Sequence, residues 1–403
     1  MSNGPILVLS ASAGAGHLTA ARAVEQALAR SAGPAAPPVE VLDVLDLTNR
    51  LFRALYAGGY LAIVNHAPGA MGWLYEMMDR PGTRIRDAIR TGVQNLCSRR
   101  VAALLRERRP RLIINTHFLA AELVAQLRRR GALDCPQFTV TTDFETHRLW
   151  VQPPTERYFT ATPEGKAYLA SFGVPSDSIR VSGIPVRAEF EQPLDRADAR
   201  SRLGLPLHRP IVLMLCGGFG VGPAERVLAA LRAAPGAPHV VVICGRNHAL
   251  HARLARAAQG DSQIAICGFT EDMHIYMRAA DVAVSKPGGL TASEALVSGL
   301  PLVILNPIPG QEARNSDYLL EHGAAIKVNS LRLLAHRVGA LLADPPRIAA
   351  LRAAALRIAR PSAAMIVAEE ALQRISASTE RQARGAGESA SSHAVDRNVP
   401  LPR

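Results

Sequence analysis

The chain is short of several things, and each shortage excludes a class of protein. Of its 46 basic residues only Lys166, Lys286 and Lys327 are lysines; the rest are arginine. Aromatic residues make up 4% of the 403. That is too few for the stacking platforms that read single-stranded nucleic acid, and no recognition motif for nucleic acid is present. The five cysteines, Cys97, Cys135, Cys216, Cys244 and Cys267, contain no CxxC pair. They read as buried thiols of a reducing cytosol rather than as disulfides or a zinc site. No window offers 18 uninterrupted apolar residues, so no segment is expected to span a membrane. No basic stretch precedes the short apolar run Ile6–Leu9, so the start does not read as a signal peptide.

What is present is a folding composition, 48% apolar and 20% charged, over a length that suits two domains. The formal charge of +12 has two readings: a compositional bias toward arginine, or attraction to an anionic partner such as a membrane surface. Short apolar runs alternate with helical patterns. Ile6–Leu9, Val39–Leu42, Leu112–Ile114 and Phe138–Val140 form one series; Ile211–Leu215, Val240–Ile243, Ile264–Ile266, Val282–Val284 and Leu302–Leu305 form another. Between the first two runs, Leu18, Ala21, Val24 and Leu28 share one helical face. Such alternation predicts an α/β protein with two parallel, doubly wound sheets. The expected organisation is an amino-terminal domain over 1–188, a polar linker over 189–209, a carboxy-terminal domain over 210–375 and a disordered tail over 376–403.

One segment stands apart. Leu51–Met78 is rich in Leu, Tyr, Trp and Met but broken by Gly58, Gly59, Pro68 and Gly69. It reads either as a helical hairpin packed on its own domain or as a flap that settles at a lipid interface. Beside it, Arg84–Arg111 carries nine arginines against Asp87 and Glu107, either a solvated face or a site for anionic lipid.

Four glycine-rich or polar segments follow predicted strands. Ser10–His17 places Gly14 and Gly16 in a strand-to-helix turn, where backbone can approach an anionic ligand, and sets His17 at the ligand-binding edge of the sheet. Cys216–Gly222 is a second such turn, with Gly217 and Gly218 foremost. The strand after it ends in Cys244–Gly245–Arg246–Asn247, without the acidic residue that holds an adenosine ribose, which argues against NAD. In Ser285–Glu294, Gly288, Gly289 and Leu290 precede a helix expected to start near Thr291. Thr291 and Glu294 are spaced as a capping box, although the carboxylate could instead bind a ribose diol. Gln311, Glu312 and Asn315 bring amides and a carboxylate to the loop after the following strand, where polyol hydroxyls could be read.

Together these segments resemble the monogalactosyldiacylglycerol synthases and processive diacylglycerol glucosyltransferases, of glycosyltransferase family 28. The resemblance rests on SASAGAGHLTAARAV at the start, TTDFETHRLWVQP (Thr141–Pro153), GIPVR (Gly183–Arg187), GFTEDMHIYMRAADVAVSKPGGLTASEAL (Gly268–Leu296) and PIPGQEARN (Pro307–Asn315). Its donor half is also similar to the N-acetylglucosaminyltransferase that makes the lipid precursor of peptidoglycan. The resemblance implies a GT-B fold, two Rossmann-like domains facing across a cleft, and an inverting hexose transfer from a UDP-sugar to diacylglycerol at the cytoplasmic face of the membrane, with no metal or other cofactor. No Asp-x-Asp occurs in the chain, in keeping with that expectation.

By the same resemblance Asp143 and His147 lie on the acceptor side, with Trp150 of the same segment among the substrate-binding candidates; His17, which titrates near neutral pH, is the candidate base, and Asp143 the competing base or the carboxylate that orients it. Gly217 and Gly218 approach the phosphates, Phe269 and Thr270 flank the uracil, Glu294 takes the ribose, and Gln311 and Glu312 meet the sugar. The family's donor loop often reads PGT where this chain has Pro287–Gly288–Gly289–Leu290–Thr291, one residue more. Another lipid-linked acceptor, a UDP-sugar epimerase and a UDP-sugar sensor are the rival readings.

Overall fold

The computed structural model describes residues 4–12, 15–31, 33, 37–48, 99–217 and 223–395. Leu51–Met78, Gly14 and Gly218 lie outside them, as do Arg84, Arg86 and Arg90 of the arginine cluster.

Two six-stranded parallel sheets form the body. The first runs β2-β1-β3-β4-β5-β6, built from Ile6–Ser10, Val39–Asp43, Leu112–Asn115, Gln137–Val140, Arg157–Thr160 and Ile179–Val181 as β1 to β6. The second runs β12-β11-β10-β7-β8-β9, from Ile211–Leu215, His239–Ile243, Ile264–Cys267, Val282–Ser285, Leu302–Leu305 and Ala325–Val328 as β7 to β12. All nine strands expected from sequence are present. β5, β6 and β12 are additional. They are three- or four-residue strands in which polar residues such as Arg157, Arg180 and Lys327 interrupt the apolar signal.

Apolar side chains on both faces of each sheet are covered by helices, as parallel sheets require. Ile6, Val8, Ile114 and Phe138 pack with Ala21, Val24 and Leu28 of the Ala15–Ser31 helix; Leu7, Leu9 and Ile113 pack on the other side with Leu119 and Leu123.

The stretch 189–209 is more than a spacer. Phe190 is buried in the core of the second sheet, and the Arg196–Arg202 helix is tied down through Asp281. That carboxylate receives Arg196 and Arg200, each at 2.7 Å, and the Ile211 amide at 2.8 Å.

The chain also returns. The Ala363–Val395 helix leaves the second sheet and lays Ala364, Val367, Ala368, Ala371 and Ile375 on the Ala15–Ser31 helix of the first. Burying Val367 alone is worth about 1.5–3 kcal/mol. Glu370 fastens it to β5 and β6 through Arg157 at 2.7 Å and Arg180. Here the structure departs from the expected disordered tail. The helix runs through residue 376 to Val395; its apolar packing on the first sheet ends at Ile375, and the Thr379 hydroxyl accepts from Arg111 at 2.6 Å one turn further on. Where the returning chain crosses the outgoing one, Gly183 has φ 96°, and a Cβ there would lie 2.3 Å from the Arg360 Cβ. Only glycine fits this crossing.

Candidate active site

In each sheet the strand order reverses beside the first strand of its series, and open α/β sheets bind ligands at that point. In the first sheet the reversal lies between β1 and β3, so the segments that follow them, carrying His17 and His117, are neighbours. In the second it lies between β7 and β10, which brings the Cys216–Gly217 turn beside Lys286–Gly289.

His17 occupies the first turn of its helix. Its Nδ1 lies 2.7 Å from Thr142 Oγ1, and its backbone oxygen accepts from the Thr116 hydroxyl at 3.1 Å. The His117 ring meets it edge-on, centroids 4.5 Å apart. His117 is itself committed: its Nδ1 accepts the Leu119 amide and caps the Phe118–Arg129 helix. Burial pushes His17 down to about 4 and His117 well below the usual histidine value, so both are neutral at physiological pH.

Beyond β4, the turn Thr141–Thr142–Asp143 carries the second candidate group. Asp143 is 3% exposed. Its Oδ2 accepts the Trp150 Nε1–H at 3.4 Å and stands 3.9 Å from His147 Nε2. Burial is the main cause that raises its carboxyl to about 7, with the nearby Glu312 charge adding to it. Trp150, expected on the acceptor side, is wholly buried among Tyr158, Leu169, Val174 and Ile179. Next to Asp143 it supplies both an apolar wall and a hydrogen-bond donor. His147 is nearly as buried.

On the other domain, the helix after β10 begins at Gly289, two residues before the expected Thr291. Gly288 is its N-cap, and no side chain caps it. The capping box therefore does not form: Thr291 already lies inside the first turn. Glu294 is left as a buried carboxyl, raised to about 7 by desolvation and opposed by the charge of Arg187. Gly289 itself has a packing reason. A Cβ there would lie 2.1 Å from the Thr142 carbonyl oxygen and 3.1 Å from Ile184 Cδ1. Gly16 is likewise the close neighbour of Leu290, 3.3 Å from a built Cβ to the leucine Cβ. Both glycines, with Leu290, thus form the contact between domains.

Three further groups complete this face. Glu312, second residue of the Gln311–Glu321 helix, accepts the Ile308 amide at 2.7 Å, so one of its oxygens organises its own loop. Lys286 is partly buried near it, and desolvation lowers its ammonium. Asn315, expected to read hydroxyls, is instead a buried staple between domains. It accepts the Phe144 amide at 3.0 Å and donates to the Pro287 carbonyl at 3.1 Å. Phe144 stacks on Tyr318 beside it, centroids 5.0 Å apart.

At the far end of the second sheet, Phe269 is 58% exposed and Arg246 lies over its ring at 4.7 Å, an open cation–π pair. Thr270 accepts the Asp272 amide at 3.0 Å through its hydroxyl, which shapes the turn. Gly217 has φ 71°, the left-handed conformation a tight turn demands of glycine.

The structure therefore brings the segments that carry His17 and Asp143 in one domain against Leu290, Gly289 and Glu312 of the other, with His147 behind Asp143. Arg246, Phe269 and Thr270 stand together at a separate end. Sequence reasoning passed over Thr142, His117 and Lys286. Lys286 had a signal, a lysine kept directly after a strand in a chain that otherwise uses arginine. Thr142 and His117 gave none, because each acts through a neighbour distant in sequence.

Comparison with known proteins bears on this geometry. Residues 17–186 match the family model for monogalactosyldiacylglycerol (MGDG) synthase, and residues 221–364 match the glycosyltransferase family 28 C-terminal domain. The chain is 29% identical over 383 residues to a processive diacylglycerol beta-glucosyltransferase of Bacillus cytotoxicus, covering 94% of this chain and 96% of that protein. A protein of the same description from Bacillus mycoides is 29% identical over 368 residues, covering 90% and 92%. Among solved structures, MnaA of S. aureus with UDP superposes at a TM-score of 0.60 and 13% identity, covering 94% of this chain and 97% of that one. MurG of Acinetobacter baumannii gives 0.53 and 16%, covering 91% and 98%. These structures share the GT-B fold.

Proposed function

We propose that this chain, which belongs to the glycosyltransferase family of monogalactosyldiacylglycerol synthases and processive diacylglycerol glucosyltransferases, moves a hexose from a UDP-sugar to the free hydroxyl of diacylglycerol. The observation that carries the reading is the meeting of the two sheet reversals. A histidine and a carboxyl from one domain face a glycine-rich helix start and a lysine from the other, across a contact that closes on Thr142 and Gly289.

The chemistry is a single displacement that inverts the anomeric carbon. The lipid hydroxyl attacks that carbon from the side opposite the diphosphate, its proton passes to His17, and UDP leaves. An alcohol attacks poorly while it keeps its proton, and a neutral imidazole is ready to receive it. Asp143 is the competing acceptor. At the donor site the uncapped amides of the Gly289–Val297 helix and the Lys286 ammonium offset the departing negative charge without requiring a metal. Phe269 offers an exposed face for the uracil, and Glu294 an acceptor for the ribose hydroxyls. Among the described residues no helix is long and apolar enough to cross a membrane. The arginine excess supports attachment of the amino-terminal domain to an anionic leaflet, at the cytoplasmic face.

The test is incubation of the protein with UDP-glucose or UDP-galactose and vesicles containing diacylglycerol, followed by mass spectrometry of the lipids. A hexosyl-diacylglycerol is expected, and the NMR coupling of its anomeric proton should show the configuration opposite to the donor's. An epimerised nucleotide sugar with no glycolipid would refute the reading, and so would transfer confined to another lipid-linked acceptor.

A further inference from the structure

Thr142 touches both halves of the site at once. Its hydroxyl lies 2.7 Å from His17 Nδ1, and its carbonyl oxygen is the atom against which Gly289 of the opposite domain is packed. It is 4% exposed, so no solvent competes for the hydroxyl. The histidine is held from its other sides as well. Thr116 binds its backbone oxygen, and the His117 ring stands edge-on at 4.5 Å.

A neutral imidazole carries one proton on one of two nitrogens, and the partner of the other nitrogen decides which. A base that takes a proton at Nε2 must carry its own on Nδ1. A threonine hydroxyl can donate or accept, but only by accepting does it stabilise that tautomer.

We propose that Thr142 is the positioning residue of the acceptor base: its Oγ1 accepts the Nδ1–H of His17, leaving the Nε2 lone pair free for the lipid hydroxyl. This rests on the assignment of His17 as base. When the base accepts the substrate proton, His17 becomes an imidazolium with protons on both nitrogens, and Thr142 still accepts from Nδ1, so the hydrogen bond persists through the step. Because Thr142 is seated on Gly289, the tautomer is held by a residue that the opposite domain keeps in place.

The experiment compares His17→Ala, Thr142→Val, Thr142→Ser and the His17→Ala/Thr142→Val double variant in the full chain, with UDP-hexose and diacylglycerol vesicles. Thr142→Val keeps the shape and removes the acceptor. A kcat loss of about 10²-fold is expected, the lower end of what removing a general base costs, with donor KM within twofold. Thr142→Ser should recover most of the rate, and the double variant should be no slower than His17→Ala. Independently of turnover, ¹⁵N NMR of the histidine-labelled parent should show His17 protonated at Nδ1. If His17→Ala loses activity but Thr142→Val stays within twofold, the positioning role is refuted while the base assignment stands. If His17→Ala itself stays within a few-fold, both fall. A proton found on Nε2 in the parent overturns the proposal even should the valine variant fail to fold.

Discussion

Gly289→Ala isolates one of the contacts that join the two domains, the one against Thr142. Glycine here is not needed for backbone freedom, since Gly289 does not adopt a positive φ and opens a helix in which alanine is favoured by about 1 kcal/mol. The added methyl has nowhere to go. It would sit 2.1 Å from the Thr142 oxygen, where real contacts begin above 3 Å, and 3.1 Å from Ile184 Cδ1. One atom in the way is backbone, which cannot swing aside as a flexible side-chain end can. Forcing a methylene into a packed site costs about 1–3 kcal/mol. The cheapest relief is to part the domains by roughly an ångström, so this energy is set against the closed form. At 1.4 kcal/mol per tenfold it disfavours closure by about 5- to 150-fold. The expected result is a kcat reduced about 10- to 100-fold at saturating UDP-hexose and diacylglycerol, with a thermal midpoint unchanged or slightly raised by the better helix start. Initial-rate kinetics and scanning calorimetry read both quantities. A variant with parental kcat would refute the reasoning that this contact is part of the catalytic arrangement.

Three further outcomes follow from particular groups. A base works only while deprotonated, so activity is lost as pH falls through its value. With His17 as base, kcat/KM should stay level through pH 7 and drop only toward about 4, whereas an acid limb near 7 assigns the role to Asp143, and a pH–rate profile distinguishes them. Glu294→Gln replaces one carboxyl oxygen by an amide that can only donate, without shortening the side chain; isothermal titration should find UDP bound about tenfold more weakly at little change in thermal stability, and unchanged affinity would remove Glu294 from the ribose site. Asp281→Ala strands the buried Arg200, which keeps backbone carbonyls (Ala279, Leu207 and Arg209) but no counter-charge; a loss of roughly 3 kcal/mol in urea unfolding is expected, and a loss below 1 kcal/mol would contradict the weight given to that ion pair.

Much of this protein is determined by short-range pattern. Nine strands are legible because each is a run of apolar residues bounded by turns, and a parallel sheet buried on both faces asks for nothing else. The glycine-rich segments are legible for a similar reason, since a strand-to-helix turn at the ligand-binding edge leaves a local signature. Among the candidate residues, His17 can be singled out from residue type and its place after the first strand, whereas Asp143 is reached only through the family resemblance and Glu294 stays open between a helix cap and a ribose acceptor.

What the tertiary structure decided depends on neighbours far apart in sequence. Thr291 and Glu294 have the spacing of a capping box, yet the helix starts at Gly289 because the interdomain contact fixes its first turn there. Asn315 looks like a ligand reader by type, but the fold spends it on a staple between domains, and it sets the Trp150 indole beside a buried carboxyl seven residues away. The start of the Ala363–Val395 helix is held by a surface contributed from residues 15–31, which the composition of either segment does not announce. The proton affinities are tertiary throughout. Burial moves a histidine down to about 4 and an aspartate up to about 7, reversing the order the isolated side chains would have, because desolvation penalises whichever form is charged.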